Sequence, residues 1–454
     1  MKADLVIRNV KVFVNGGTLE AVDIGVKDGL ISFLGRSYPG IYGGEEVVNG
    51  EGLIALPSFI DMHVHIFSPG WFKETYASGT AAAAVGGYSL VCDMAGVGEW
   101  QTTTLKVFRE KVGIVNREAV IDVALYAGEI YSFSDLKEVP QLFMEGAVGL
   151  GEIMLSEPGP IGDDALLLEA LSTASRYGKI LAAHCENRDI VNYWTRVVRG
   201  GGGRGLEALS RARPAIAEAE AILRASTLAR HVGARLHVCH VTSELGVKSL
   251  GLARTFHKAL SSEVAPHHLL LDVDSASGLG LLATVTPPLR ARRDREALWS
   301  ALKEGLIDVI STDHAPYYSS EKLGGDVWSS PPGLGGLEFA FPVVATYAVE
   351  KAGMGFYEVQ KLFNEHPARI LNLYPRRGSI SVGSEANVVL VDHRGRARVD
   401  SSWIRSRTDY TPYEGLEVRF RVVKNFLRGV LVADEGEVVG RAGRYVPLAT
   451  GPAP

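Results

Sequence analysis

The chain has 454 residues, enough for one large domain with an appendage or for two to three ordinary domains. Apolar residues make up 46% and charged residues 22%, the balance of a globular protein with a substantial core. A formal net charge of −5 gives no basis for nucleic acid or a membrane surface as partner, and no apolar run approaches the roughly 20 residues needed to cross a bilayer.

The first residues, "MKADLVIRNVKVFVNG", alternate as a strand does and lack the apolar core and cleavage site of a secretory leader. Three cysteines, Cys92, Cys185 and Cys239, are too few for a disulfide framework and fit a reduced, cytoplasmic setting. Residues 4–56 hold short alternating segments separated by Gly and Asn turns, which is β-rich patterning. The same texture returns after residue 377, in "ANVVLVD" and "EVRFRVVKNFLRGVLVADEGEVVG".

Between these ends the pattern changes to apolar strands alternating with amphipathic helices. The strand candidates are "LIALPSFIDMHVH", "YSLVCDMAG", "AVIDVALYAGE", "AVGLGEIMLS", "KILAAHCEN", "ARLHVCHVTS", "SSEVAPHHLLL" and "IDVISTDHAPY". Each is nearly continuous in buried-type residues, as parallel strands covered on both faces should be. Helical stretches such as "DDALLLEALSTASRYG" and "RPAIAEAEAILRASTLARHVG" lie between them. The expected fold is α/β, a (β/α)8 TIM-type barrel over 57–376. The ends, 1–56 and 377–454, are each too small for a good core and are expected to pair into one small β-sandwich.

A barrel carries its reactive groups at the C-terminal ends of its strands. His63, His65, His184 and His240 end strand candidates, and Asp313 ends the eighth. Residues i and i+2 of a strand share a face, so His63 and His65 can converge on one ion. A lone histidine in an apolar strand reads as an ordinary core residue. Four at strand ends, with an acid, make a divalent transition-metal site, most simply for Zn²⁺. His231, His237, His257, His366 and His393 read as structural or surface residues.

"DMHVH", "AHCEN", "HVCHVTS", "EVAPHHL", "PPLR" and "TDHAP" together resemble the cyclic amidohydrolases, dihydroorotase above all, with allantoinase and hydantoinase nearby. The resemblance runs nearly end to end. It implies a metal-bearing barrel, with one or two ions, that hydrolyses a ring amide C–N bond of a small cyclic substrate, and a homo-oligomer. It also implies that His63, His65 and Asp313 hold one ion and that His184 and His240 hold the second. The family bridges its ions with a carboxylated lysine, which this chain lacks. Aligning on the residues that follow places Glu152 in that slot, and aligning on the preceding glycine places Gly151 there. Glu152 is preferred because it supplies the carboxylate, and a single-ion site is the fallback.

The substrate-facing positions depart from the dihydroorotase pattern. Phe67 stands where an arginine would grip a carboxylate, Gly96 and Thr286 replace asparagines, and only His267 is kept. Arg290 and Arg292 read as surface charges. By resemblance, Asp313 is the general base, passing a proton from the attacking water to the leaving ring nitrogen, and His267 adds to oxyanion stabilisation. The loops "RGGGGRG" and "YYSSEKLGGDVWSSPPGLGG" are candidate lids. The missing lysine and arginine leave one alternative of another class, a catalytically silent relative that docks a partner enzyme.

Overall fold

The computed structural model describes residues 2–14, 16–36, 43–67, 74–96, 98–156 and 163–449. Five strands precede the barrel: β1 (Lys2–Val14), β2 (Thr18–Lys27), β3 (Leu30–Gly35), β4 (Gly43–Asn49) and β5 (Leu53–Pro57). The barrel strands follow: β6 (Phe59–Val64), β7 (Tyr88–Asp93), β8 (Asp122–Leu125), β9 (Gly149–Met154), β10 (Ile180–His184), β11 (Arg235–Val238), β12 (Leu260–Val264) and β13 (Val309–Ile310). Neighbours pair in parallel from β6 to β8 and from β9 to β13.

Two seams close the ring. Ala127 bridges Leu150, with Gly151 N donating to Ala127 O at 2.9 Å. Val64 bridges His314, with His65 N donating to His314 O at 2.9 Å and Asp313 N to His63 O at 3.0 Å. The second seam sets the first and last strand ends side by side, so residues 250 positions apart in sequence become neighbours. Ile60, Leu90, Ala124, Tyr126, Ile180 and Ala182 pack together inside the ring. A larger apolar cluster lies between strands and helices.

Local chemistry sets the helix ends. Thr75 and Ser78 cap the helix Tyr76–Val85 reciprocally. Ser243 caps Glu244–Phe256, and Gly233 ends Ala215–Val232 in the left-handed conformation at φ 66°. The seventh strand is shorter than expected. Pro266 at the first turn starts a helix, Pro266–Leu270, so His267 and His268 sit on a helix after the strand.

The chain ends share one sheet. β14 (Val388–Asp392) pairs antiparallel with β5, with Val391 opposite Ile54 and Val388 opposite Pro57. Beyond it lie β15 (Ala397–Arg398), β16 (Glu417–Val418), β17 (Arg421–Leu427), β18 (Val430–Asp434) and β19 (Glu437–Val438). The sheet runs β19-β18-β17-β14-β5-β1-β2-β3, with β4 on β1. β15 and β16 instead pair with each other, and Val446 N bonds to Val123 O at 2.9 Å, so the tail returns to the barrel. Among the described residues, no helix is long and apolar enough to cross a membrane.

Asn425 on β17 ties the sheet to the barrel. It accepts from Ser58 Oγ at 2.9 Å and donates to Ala84 O at 3.0 Å and Tyr88 O at 2.8 Å, all buried. Replacing Asn425 with Ala strands these groups without water. The expected loss is about 2–4 kcal/mol, read as an earlier midpoint in chemical denaturation.

Candidate active site

His63 and His65 leave the end of β6, His184 ends β10, and His240 and Asp313 follow β11 and β13. His240 and Asp313 take left-handed backbone, φ 27° and 50°, which turns their side chains off the strand direction at the cost of local strain. Behind β6, Asp61 accepts from His63 N at 3.0 Å and from Thr312 N at 3.1 Å, and burial pushes its carboxyl up to about 7.

Glu152 stands at the centre. β9 and β10 are in one register up to Leu150–Leu181 and in another from Ile153–Ala183, so Gly151 and Glu152 form a bulge. The bulge reconciles the two alignments: the preceding glycine fixes the register before it, the following apolar pair the register after it. Gly151 lets the bulge fit, because a Cβ there would stand 3.0 Å from Ala182 Cβ and 3.1 Å from Tyr126 Cδ1. The carboxylate of Glu152 is thereby carried inward despite being shorter than a lysine.

Its two oxygens face different partners. Glu152 Oε2 lies 3.4 Å from His63 Nε2 and 3.6 Å from His65 Nε2. Asp313 Oδ1 lies 3.4 Å and 3.3 Å from the same two nitrogens, which are 3.1 Å apart. A tetrahedron with bonds of about 2.0–2.1 Å has edges of about 3.3–3.4 Å, so His63, His65 and Asp313 stand at the spacing of three donors to one ion of zinc's size, and His63, Glu152 and His240 form another group of mutually close donors. Glu152 Oε1 lies 2.7 Å from His240 Nε2 and 3.4 Å from His184 Nδ1, a second group of donors sharing the same carboxylate.

The charge states support the same fit. Burial opposes protonation of His63 and His184, yet the carboxylates around them raise His63 well above its ordinary value and His184 to about 9. Burial would raise Glu152, but His63 and His240 hold it well below the usual carboxylate range. The cluster thus needs cations: protonated imidazoles supply them, and a divalent ion would displace those protons.

Carboxylates also stand behind these imidazoles. Glu263 Oε1 lies 2.5 Å from His63 Nδ1, and its other oxygen lies 3.0 Å from His237 Nε2. Glu186 Oε2 lies 2.7 Å from His184 Nε2 and accepts from Arg213 Nε at 2.9 Å and Nη2 at 2.6 Å. Carboxylates behind ligating imidazoles are the usual support of a metal site.

A cavity of about 360 Å³ opens beside Glu152, His65, His184 and Asp313. Gly96 and Thr286 line it, and so do Glu129, Tyr131 and Arg213, which sequence reasoning missed. Phe67 does not line it. Its ring stacks on Tyr76 at 5.0 Å and meets Trp100 edge-on at 4.9 Å. His267 is buried behind the cluster; burial pushes its imidazole down to about 4, and its Nε2 has no hydrogen-bond partner.

Two readings of charged and polar residues are refined. Arg290 is not a surface charge: it is buried and donates to Thr242 Oγ1 at 3.0 Å and to Arg213 O. Arg292 is exposed and pairs with Glu296. His237, read as structural or surface, is buried and holds Glu263. Of the lid candidates, the loop after β13 lines the cavity through Pro332 and Gly333, and its Trp328 donates to Gly203 O at 3.3 Å, joining the two loops. Glu186 carried a usable signal, standing two residues after His184. Arg213 carried none, because nothing in a loop sequence shows that it folds over the site.

A model of the amidohydrolase family matches residues 54–432. An L-hydantoinase of Paenarthrobacter aurescens is 31% identical over 448 residues, covering 97% of this chain and 96% of that protein. An allantoinase of Rubrobacter xylanophilus is 33% identical over 448 residues, covering 98% and 97%. A dihydroorotase of Methanothermobacter thermautotrophicus is 33% identical over 427 residues, covering 94% of each. The solved L-hydantoinase (dihydropyrimidinase) from Arthrobacter aurescens superposes with a TM-score of 0.91 at 29% identity, covering 98% of this chain and 100% of that one. With the motifs, the closed barrel and these end-to-end matches in agreement, the chain belongs to the amidohydrolase family, as one of its cyclic amidohydrolases.

Proposed function

We propose that this enzyme is metal-dependent and opens or closes a small cyclic amide, imide or ureide ring, with Glu152 shared between two ions. The observation that carries the reading is the division of the Glu152 oxygens, one facing His63 and His65, the other His184 and His240. His63, His65, Asp313 and Glu152 would hold one ion, and His184, His240 and Glu152 the other. The nitrogen and oxygen donor set favours Zn²⁺. Such ions supply a Lewis acid for the ring carbonyl and lower the pKa of water.

The protein groups do the rest. Asp313, at the cavity wall, takes the proton of the attacking water and returns it to the ring nitrogen as the C–N bond breaks. His267, neutral and buried, does not line the cavity and supports its wall from behind. Glu186 and Glu263 keep the imidazoles aimed.

The substrate reading favours an uncharged ring such as hydantoin, allantoin or dihydrouracil. Phe67 and Gly96 offer no charged side-chain fork for a ring carboxylate, which is worth on the order of 2–5 kcal/mol where present. Dihydroorotate is the second reading, favoured by the dihydroorotase relative at 33% identity and by Arg213 in the cavity lining. The silent-scaffold alternative finds no support, since every expected ligand converges. A cytoplasmic setting agrees with three free, buried cysteines, and self-association follows from family likeness alone.

The purified protein is expected to carry about two divalent ions per chain by elemental analysis. Glu152→Ala should bring this to one or none, and unchanged metal content would remove the shared carboxylate. Asp313→Asn should keep at least part of the metal while turnover falls by about 10²–10⁴-fold; retained turnover would take Asp313 out of the base role. Initial rates on dihydroorotate, allantoin, hydantoin and dihydrouracil separate the two substrate readings.

A further inference from the structure

Lys322 is, with Lys111 and Lys179, one of three buried lysines among the described residues, and the one whose partners lie on segments that line the cavity. It lies on the short helix Ser319–Lys322 in the loop after β13, and its side chain is wholly buried. Among the described residues its ammonium forms no ion pair with a carboxylate. It donates instead to two backbone carbonyls, Thr284 O at 2.7 Å and Gly333 O at 2.6 Å. The Tyr317 ring, 5.8 Å away, is its aromatic neighbour. Burial pushes the ammonium down to about 7. A buried lysine without a compensating acid is costly, and surface lysines reach their stability role without that cost. Its place in the fold therefore calls for a use.

The two carbonyls belong to the segments that form one side of the cavity. Thr284 directly precedes Val285 and Thr286, and Gly333 follows Pro332; all four of those neighbours or partners, Val285, Thr286, Pro332 and Gly333, line it. The segments also touch directly, since Gly333 N donates to Thr284 O at 3.1 Å. Three further bonds fix the second segment: Ala315 N to Leu334 O at 3.0 Å, and Gly336 N and Leu337 N to His314 Nδ1 at 3.1 Å and 3.4 Å. Gly333 is itself confined, with φ 150° and a would-be Cβ 2.5 Å from Ala315 O. The first segment, which leads into the "PPLR" run, has Lys322 as its charged tie to this frame.

We propose that Lys322 is a positioning residue for substrate recognition: its ammonium clamps the backbone at Thr284 to that at Gly333 and so sets the wall against which the ring packs. This rests on the ring-hydrolase reading and deepens it, since neither carbonyl belongs to the ligand cluster. Donation to the two carbonyls also polarises the peptide groups that follow them, whose N–H groups belong to Val285 and Leu334. The clamp acts on binding and leaves the proton transfer at Asp313 untouched, so its loss should appear in KM and spare kcat.

The test compares the metal-loaded wild type with Lys322→Met, which keeps the length and removes the donors, and Lys322→Gln, which restores two N–H donors without charge. Expected for Lys322→Met are unchanged metal content, a KM raised about tenfold or more, a kcat within about threefold, and faster amide hydrogen exchange over 284–286 and 332–334. Lys322→Gln should recover part of the KM, and it carries the comparison if the Met variant does not fold. A normal KM in Lys322→Met, or in Lys322→Gln where the Met variant does not fold, beside an active wild type overturns the clamp and leaves the hydrolase reading intact, as does a loss confined to kcat. A wild type that turns over no ring overturns the hydrolase reading and the role of Lys322 with it.

Discussion

Everything at the barrel mouth depends on placing one carboxylate, Glu152, among four imidazoles in a nearly dry space. A buried anion is tolerated only when positive charge or many donors surround it. Asp313, Glu186, Glu263 and Asp61 add further buried acids to the same region. Without other cations, His63 and His184 must carry protons to balance them, and a protonated imidazole cannot ligate. Divalent ions would resolve both problems together, by neutralising the acids and freeing the imidazole nitrogens. The strand ends, the bulge in β9 and the left-handed turns at His240 and Asp313 are the means by which a rigid barrel aims these groups at common points.

The barrel was legible because its signals are local and periodic. Apolar runs of strand length alternate with helical patterns, and two histidines at i and i+2 must share a face of a strand. His184, His240 and Asp313 could be placed because each ends such a run. Glu152 was ambiguous for a physical reason: a bulge inserts one residue, and a sequence aligned without a gap has no way to show where the register slips. Lys322, Arg213 and Arg290 were harder still. Each lies in a stretch whose composition reads as solvent-exposed; Lys322 and Arg290 are buried, and Arg213 is half-buried, through contacts with chain distant in sequence. His237 was passed over because its partner, Glu263, comes from the next strand, and cross-strand pairing has no sequence period.

The sheet built from both ends of the chain has a mechanical consequence. β5 and β6 are separated by Ser58 alone, so the strand that carries His63 begins where the outer sheet ends. Ser58 bonds Asn425, and Asn425 bonds the carbonyls of Ala84 and Tyr88, at the end of the first barrel helix and the start of β7. The outer sheet therefore fixes the entry of the first barrel strand from three directions. Closure of the ring between His63 and Asp313 then carries that placement to the two sides of one donor group.

Phe67 is held by packing beside the cavity and takes no part in its lining. Its ring stacks on Tyr76, whose hydroxyl donates to Asp93 at 2.7 Å, and Asp93 in turn accepts from Ile66 N at 2.8 Å. The residues just after His65 are thus secured by aromatic packing and a buried carboxylate, where an arginine at the same place would reach for an anion. Other strand-end loops line the cavity, through Thr286, Arg213 and Gly333. A barrel permits this division because ligands on strand ends and contacts on the following loops vary independently. The strand ends carry the imidazoles and carboxylates, and the loops that follow them shape the cavity.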